Sequence, residues 1–321
     1  MTEALQNLFW VVVFPGFLFT CFAGLLVCWV VRKVSALVQW RVGPPLYQPF
    51  VDVVKLMGKE ILIPAEAQRT VFMMAPIVSL AAVGLLATML WRITIAPKAL
   101  FVGDIVVAIY LMILPSLGLI LGSSASGSPH ASVGTGREMK LVISYELPLV
   151  LAFVVVVIKT AGLVGPGQQL SLAAIAQYKP VLSISGMLAF LVALLCIQAK
   201  LGFVPFDIAE AETELASGVL MEYSGALLGI WKLTQAMMLV VLPLFLVMVF
   251  LGGFGVSQWS GLLAGVGKYL LIVVILILIK NTNPRMRIDQ AMKFFWVYCG
   301  ITLAVAVVLA MIGNNYGIGW L

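Results

Sequence analysis

Residues 226–252 read ALLGIWKLTQAMMLVVLPLFLVMVFLG, with Lys232 as the single charged side chain. A bilayer core about 30 Å thick is crossed by about 20 apolar residues in α-helix. Lipid offers no partner for exposed backbone groups, so an apolar run of this length must satisfy its own hydrogen bonds as a helix. Seven further runs repeat the pattern: Phe9–Val31, Val71–Trp91, Phe101–Gly122, Leu141–Val164, Val181–Ile197, Gly261–Ile279 and Phe294–Ile312. The fold class that follows is an all-α integral membrane protein with about eight transmembrane helices. The first run is too long for a signal-peptide core and has no basic segment before it, so it reads as a permanent span.

Composition agrees. Of 321 residues, 63% are hydrophobic and 10% charged, with mean hydropathy +1.14. A soluble domain carries roughly 25% charged residues. The expectation is one polytopic membrane domain over residues 1–321, without a soluble domain. No internal repeat is visible, which argues against inverted-repeat transporters. Of the 19 Lys and Arg, 13 fall in the loops after spans one, three, five and seven, whereas the loops after spans two, four and six hold Arg92, Lys98 and Lys179. By the positive-inside rule the odd loops face the cytoplasm of a cell membrane and both termini lie outside. The net charge of +6 is thus a topology signal and not a nucleic-acid signal. Cys21, Cys28, Cys196 and Cys299 are scattered in apolar runs and His130 is the only histidine, so the chain has no metal-ligand spacing. Nor does it carry a phosphate-binding or dinucleotide-binding glycine motif. Any redox centre served by this chain is expected on other chains.

The loop after span one runs from Arg32 to Arg69. Within it Gln48–Lys59 has helical period: Phe50, Val53, Val54 and Met57 share one face, and Asp52, Lys55 and Lys59 the opposite one. The spacing predicts an amphipathic helix at the cytoplasmic interface, resting on lipid headgroups or docking a peripheral subunit. Gly43-Pro44-Pro45 forces a turn before it.

Acids near the membrane core are expensive and mark candidate functional sites. Glu146 falls in the first turns of span four, with Arg137, Glu138 and Lys140 at the same mouth; Arg137 is the cation that could neutralise it. Between spans five and six the chain reads FDIAEAETE over residues 206–214. If this segment is helical, Asp207, Glu210 and Glu214 share a face and Glu212 points elsewhere. Like charges so placed raise one another's pKa, which suits a proton relay; a solvated acidic loop is the bland alternative. Glu222 follows, and Lys232 lies inside span six, where a lysine calls for a carboxylate partner or a lowered pKa.

Three stretches carry a family resemblance: RVGPPLYQPFVDVVKLMGKE over 41–60, FDIAEAETELASGVLMEYSG over 206–225, and PRMRIDQAMK over 284–293, followed by Trp296. These resemble the cytoplasmic signatures of the H-type (first membrane) subunit of complex I and its relatives, in order and from the first span to the last. The resemblance implies an eight-helix membrane domain that joins a peripheral redox arm to an antiporter-like membrane arm. It also implies an ion or proton relay through Glu146, Asp207, Glu210, Glu212, Glu214 and Glu222, to which Lys232 is added. The junction with the peripheral arm would fall on Arg41, Asp52, Lys55, Glu60, Arg137, Glu138, Arg285, Arg287 and Asp289.

Within that family, SGSPHASVGTGRE over 126–138 resembles the version in membrane-bound, energy-converting nickel–iron hydrogenases. Lys232 matches that branch, and Gln235 lies near where quinone-using subunits tend to carry a glutamate. The resemblance therefore implies the membrane anchor of a ferredoxin-linked, ion-translocating hydrogenase. Iron–sulfur clusters and the nickel–iron site would sit on peripheral large and small subunits, with antiporter-like membrane subunits alongside. A quinone-reducing complex I or a sulfur-reducing relative would share this subunit type. An independent secondary transporter is the remote rival from another class.

Overall fold

Proline and glycine cut the first apolar run in two. The computed structural model describes residues 2–96, 104–162, 169–210, 214, 216–255 and 259–321. In it, α1 spans Thr2–Val12 and α2 spans Phe17–Val38, with Pro15 and Gly16 buried at the break between them. Pro15 has no N–H to donate, so the helical ladder stops there and restarts. The remaining helices are α3 (Gln48–Met57), α4 (Arg69–Ile95), α5 (Asp104–Ser124), α6 (Pro129–Ala161), the single turn α7 (Leu172–Ile175), α8 (Ile184–Lys200), α9 (Gly225–Phe250), α10 (Trp259–Thr282), α11 (Ile288–Lys293) and α12 (Gly300–Tyr316). The residues Phe294–Cys299 between α11 and α12 form a π-helical turn, which makes the last span continuous from Ile288 to Tyr316. There is no strand among the described residues.

Among the described residues, seven helical segments are long and apolar enough to cross a membrane, counting α1 and α2 together over Leu5–Val38. The eighth apolar helix, α8, has 17 residues, about 26 Å at 1.5 Å per residue. The chain is a multi-pass membrane protein.

Helix α9 is the central post. In its most apolar window 89% of residues are buried inside the protein, against 28% for α10 and for the last span. The difference says which helices face lipid: α9 is surrounded by α2, α3, α4, α8 and α10, and its apolar side chains Met237, Val241, Phe245 and Val249 meet other helices. Without water to drive them together, membrane helices associate by close packing, and small residues permit it. Gly24 on α2 lies directly against the backbone of Ala236 and Met237 on α9, where a Cβ would collide.

The charged loops gather at one end of the bundle and are tied to one another. Gln68 N–H bonds Ala125 O at 2.9 Å, Met286 N–H bonds Pro205 O at 3.0 Å, and Leu62 N–H bonds Ser224 Oγ at 2.9 Å. Helix α6, with 33 residues, is about 50 Å long and overruns a bilayer core. Its first turns, from Pro129 through Lys140, stand at this charged end as helix, where the sequence suggested loop.

Candidate functional site

At the charged end, α2, α3, α5, α6, α9 and the segment 200–210 enclose a cavity of about 370 Å³. Its apolar wall includes Leu25, Leu56, Leu119, Phe203, Trp231 and Leu239, and its ionisable lining is Arg32, Asp52, Glu138, Lys200, Asp207, Glu210, Lys232 and Lys280. An apolar pocket with a few converging charges is the usual form of a ligand or ion site.

Each charge is set by a local structural cause. Helix α8 carries Lys200 in its last turn, where the chain must turn back through Gly202. The Lys200 side chain has no solvent exposure and its ammonium pairs with Glu146 Oε1 on α6, itself 15% exposed. The ammonium also lies 5.0 Å from the centroid of the Tyr145 ring, a favourable cation–π placement. The Tyr145 hydroxyl meets Ser116 Oγ at 3.2 Å. Glu146 Oε2 is buried and accepts no hydrogen bond in the structure.

The acidic segment is not a helix over Phe206–Glu210. Pro205 cannot donate to a helical ladder, and its peptide with Val204 is cis. Phe206, Ile208 and Ala209 are buried. Phe206 packs on Phe295 of the π-helical turn, ring centroids 4.8 Å apart. The acids are thereby sent to different partners and do not form one helical face. Asp207 Oδ2 accepts from Arg285 Nη2 at 2.6 Å, and Glu210 Oε1 accepts from Gln235 Nε2 at 2.7 Å. Glu214, exposed, accepts from Arg137 Nη1 at 2.8 Å. That hydrogen bond and charge hold the Glu214 carboxyl below its ordinary value. Glu212 lies outside the described residues.

The bland alternative, Arg137 neutralising Glu146, is not what the structure shows: Arg137 goes to Glu214, and Lys200 pairs with Glu146. In the sequence, Lys200 is one of the 13 cations counted in the loops after spans one, three, five and seven. The signal that could have found it is the spacing Gln198-Ala199-Lys200 before Gly202, which keeps both polar residues on a helix already committed to the core. Lys232 is corrected too. Helix α9 begins at Gly225, so Lys232 is only two turns in; it is exposed and reaches Gln235 Oε1 at 3.4 Å rather than a carboxylate.

Helix α3 lies on the bundle with a different face inward from the one periodicity suggested. Pro49, Val53 and Leu56 meet the cavity, whereas Val54 is 70% exposed. Phe50 packs on Phe22 of α2 with ring centroids 5.4 Å apart. The reason is electrostatic: Asp52 is drawn toward the bundle by Arg32 Nη1 at 2.8 Å and by Gln48 Nε2 at 3.0 Å. The Arg32 hydrogen bond, supported by Gln48, holds the Asp52 carboxyl below its ordinary range.

Of the remaining expected junction residues, Arg41, Lys55 and Glu60 are exposed around α3, and Glu138 lines the cavity itself. Arg285, Arg287 and Asp289 join Arg137 and Glu214 around a second, surface hollow of about 450 Å³. Glu222 is half-buried in the turn before α9 and does not line the cavity. Its neighbour Tyr223 stacks on Phe72 at 4.2 Å between centroids, and burial pushes that phenol up to about 12.

A family model described as NADH dehydrogenase matches residues 10–312. The H-type subunit of the NADH-quinone oxidoreductase of Syntrophotalea carbinolica is 37% identical over 289 residues, covering 83% of each chain. The corresponding NADH-quinone oxidoreductase chain of Dehalococcoides mccartyi is 31% identical over 302 residues, covering 91% of this chain and 83% of its own. Among solved structures, a chain of the membrane-bound sulfane sulfur reductase, described as an archaeal respiratory membrane complex, superposes with a TM-score of 0.81 at 27% identity. That superposition covers 97% of this chain and 100% of the other.

Proposed function

The chain belongs to the NADH dehydrogenase family, as an H-type membrane subunit of a complex I-like oxidoreductase complex, and on that premise we propose that it anchors and couples the two arms of a ferredoxin-linked, ion-translocating nickel–iron hydrogenase. Electrons travel through iron–sulfur centres on peripheral subunits, and this chain carries none. Its charged end faces the cytoplasm and receives the peripheral arm, and antiporter-like subunits flank it in the membrane.

The observation that carries the coupling role is the cavity of about 370 Å³ in which Glu138, Asp207 and Glu210 meet Lys200, the partner of Glu146. Moving one charge against 100 mV costs about 2.3 kcal/mol, so a redox event must alter charge inside the membrane boundary. A cluster of acids held by exchangeable partners, reaching from the junction loops to Glu146, is the physical means available on this chain. The hydrogenase branch is supported by residues 126–138 and by Gln235, whose amide donates to Glu210.

Two specific observations favour related readings. The likeness to a sulfane sulfur reductase chain over 97% of the sequence supports a sulfur-reducing complex. The apolar wall of the cavity, together with relatives named NADH-quinone oxidoreductase, supports quinone reduction.

The test is mild-detergent purification of the native complex with identification of the co-purifying chains. A nickel–iron large subunit and ferredoxin-dependent hydrogen evolution are expected. Activity lost on quinone extraction and restored by quinone would move the chain to the quinone-reducing reading. Polysulfide-dependent turnover without hydrogen evolution would move it to the sulfur-reducing one.

A further inference from the structure

The buried pair between Lys200 and Glu146 is incompletely satisfied in a way that a packing device is not. A buried ion pair that serves stability alone needs its remaining lone pairs and protons covered. Here Glu146 Oε2 is buried and bare, while the three-proton ammonium of Lys200 meets one carboxylate oxygen and a ring face. On the opposite side Lys200 lines the cavity, and so do Glu138 and Asp207. Glu138 lies within electrostatic reach of Lys200. Glu138 and Glu146 are on the same helix, two turns apart. The four-carbon stem of Lys200, rooted at the end of α8, pairs with one carboxylate of α6, Glu146, and lines the same cavity as a second, Glu138.

We propose that Lys200 is a two-position lysine whose ammonium exchanges between Glu146 and Glu138 and so gates proton passage from the cavity to Glu146; this rests on the coupling role proposed above. When a hydronium ion in the cavity gives a proton to the bare Oε2 of Glu146, an O–H bond of the hydronium breaks to leave water, an O–H bond forms on the carboxylate and the carboxyl becomes neutral. The ammonium keeps its three protons and its charge, so it moves to the nearest remaining carboxylate, Glu138. When Glu146 passes its proton onward, its negative charge returns and draws Lys200 back. No electron is exchanged, and one proton is bound and released per cycle. The ring of Tyr145 gives the ammonium a surface to slide over, and Phe295, 6.4 Å from that ring, connects the position to Phe206 beside Asp207. A displacement of the acidic segment at the junction is thereby felt at the lysine.

The experiment uses the purified complex. The first arm is the structure of the Glu146→Gln variant, which imitates the protonated state. Lys200 is expected within salt-bridge distance of Glu138, and a Lys200 that remains on residue 146 overturns the proposal. The second arm measures redox turnover and ion uptake together in proteoliposomes. Lys200→Met is expected to lower ions moved per electron at least tenfold, and Lys200→Arg to restore most of it. If Lys200→Met does not assemble, Glu138→Gln, which removes the second position of the lysine and leaves its pair with Glu146, is read in its place and is expected to lower ions moved per electron in the same way. Lysine relocation with undiminished pumping in the methionine variant also overturns the gate. A wild-type complex that moves no ions refutes the coupling reading instead, and the lysine's two positions are then judged on the first arm alone.

Discussion

Replacing Glu146 with Gln removes the charge that holds Lys200 and leaves the ammonium in a site where its side chain has no solvent exposure. Breaking a buried pair from one side costs about 3–5 kcal/mol, because the surviving charge loses the counter-ion it was buried with, and the move of Lys200 to Glu138 holds Glu146→Gln to the lower end of that range. Screening relieves little of this, since Glu146 is only 15% exposed. Lys200→Met is expected at the lower end of that range, because the remaining carboxyl can take a proton. Replacing both residues removes both buried charges, and the double variant is expected within about 1–2 kcal/mol of wild type. In a chain of this size each kcal/mol moves Tm by about 1–2 °C, so each single variant should melt about 3–10 °C early and the double variant much closer to wild type. Cys21, Cys196 and Cys299 are buried, so a thiol-reactive dye in mild detergent reports the transition directly. If the double variant loses as much as the two single variants combined, the two groups are not coupled and the reasoning fails.

Arg285→Ala is expected to cost about 1.5–3 kcal/mol of local stability, the usual value of a hydrogen bond to a charged group, since Arg285 holds Asp207 at 2.6 Å with both side chains mostly buried. Hydrogen exchange at Met286, whose N–H is bonded to Pro205 O, should speed up accordingly, and unchanged exchange would refute the assignment. Gly122→Val should destabilise by about 1–3 kcal/mol through overpacking, because a Cβ at Gly122 occupies the place of the Tyr223 hydroxyl and lies 2.9 Å from Ala75 Cβ. Loss of the Tyr223–Phe72 stack would show in the variant's structure. The docking of α3 should be insensitive to pH across the neutral range and weaken only in acid. Asp52 has a depressed carboxyl pKa, so its contribution is complete above the unfolded value of about 3.9 and is lost as pH falls through the lower folded value. With side chains 44% and 39% exposed, the effect is at most about 1 kcal/mol, and proteolytic cleavage around α3 as a function of pH measures it.

The membrane class, the number of apolar helices and the charged end were legible because each depends on composition and on a period within one segment. Residues 226–252 cannot be anything but a spanning helix, and α9 is that helix. The break at Pro15-Gly16 was missed because the apolar run continues across it, although proline and glycine were in plain view. The family resemblance was carried by three loop motifs, and the match over residues 10–312 agrees with it.

Partner choice was not legible. Arg137, Lys200 and Arg285 are equivalent cations in a linear reading, and proximity along the chain offered Arg137 as the counter-ion in the bland alternative for Glu146. Only the packing of α8 on α6 puts Lys200 there, 54 residues away, while Arg137 reaches Glu214, 77 residues on. The same holds for the acidic segment: its spacing suits a helix, but burial of Phe206, Ile208 and Ala209 around Pro205 spreads the carboxylates among Arg285, Gln235 and Arg137. Composition and charge order alone put this chain in a membrane, make it cross repeatedly and gather its charges at one end, because desolvation acts on each segment separately. Tertiary structure decided which charge meets which, because a buried ion takes whatever counter-ion the neighbouring helices bring within reach.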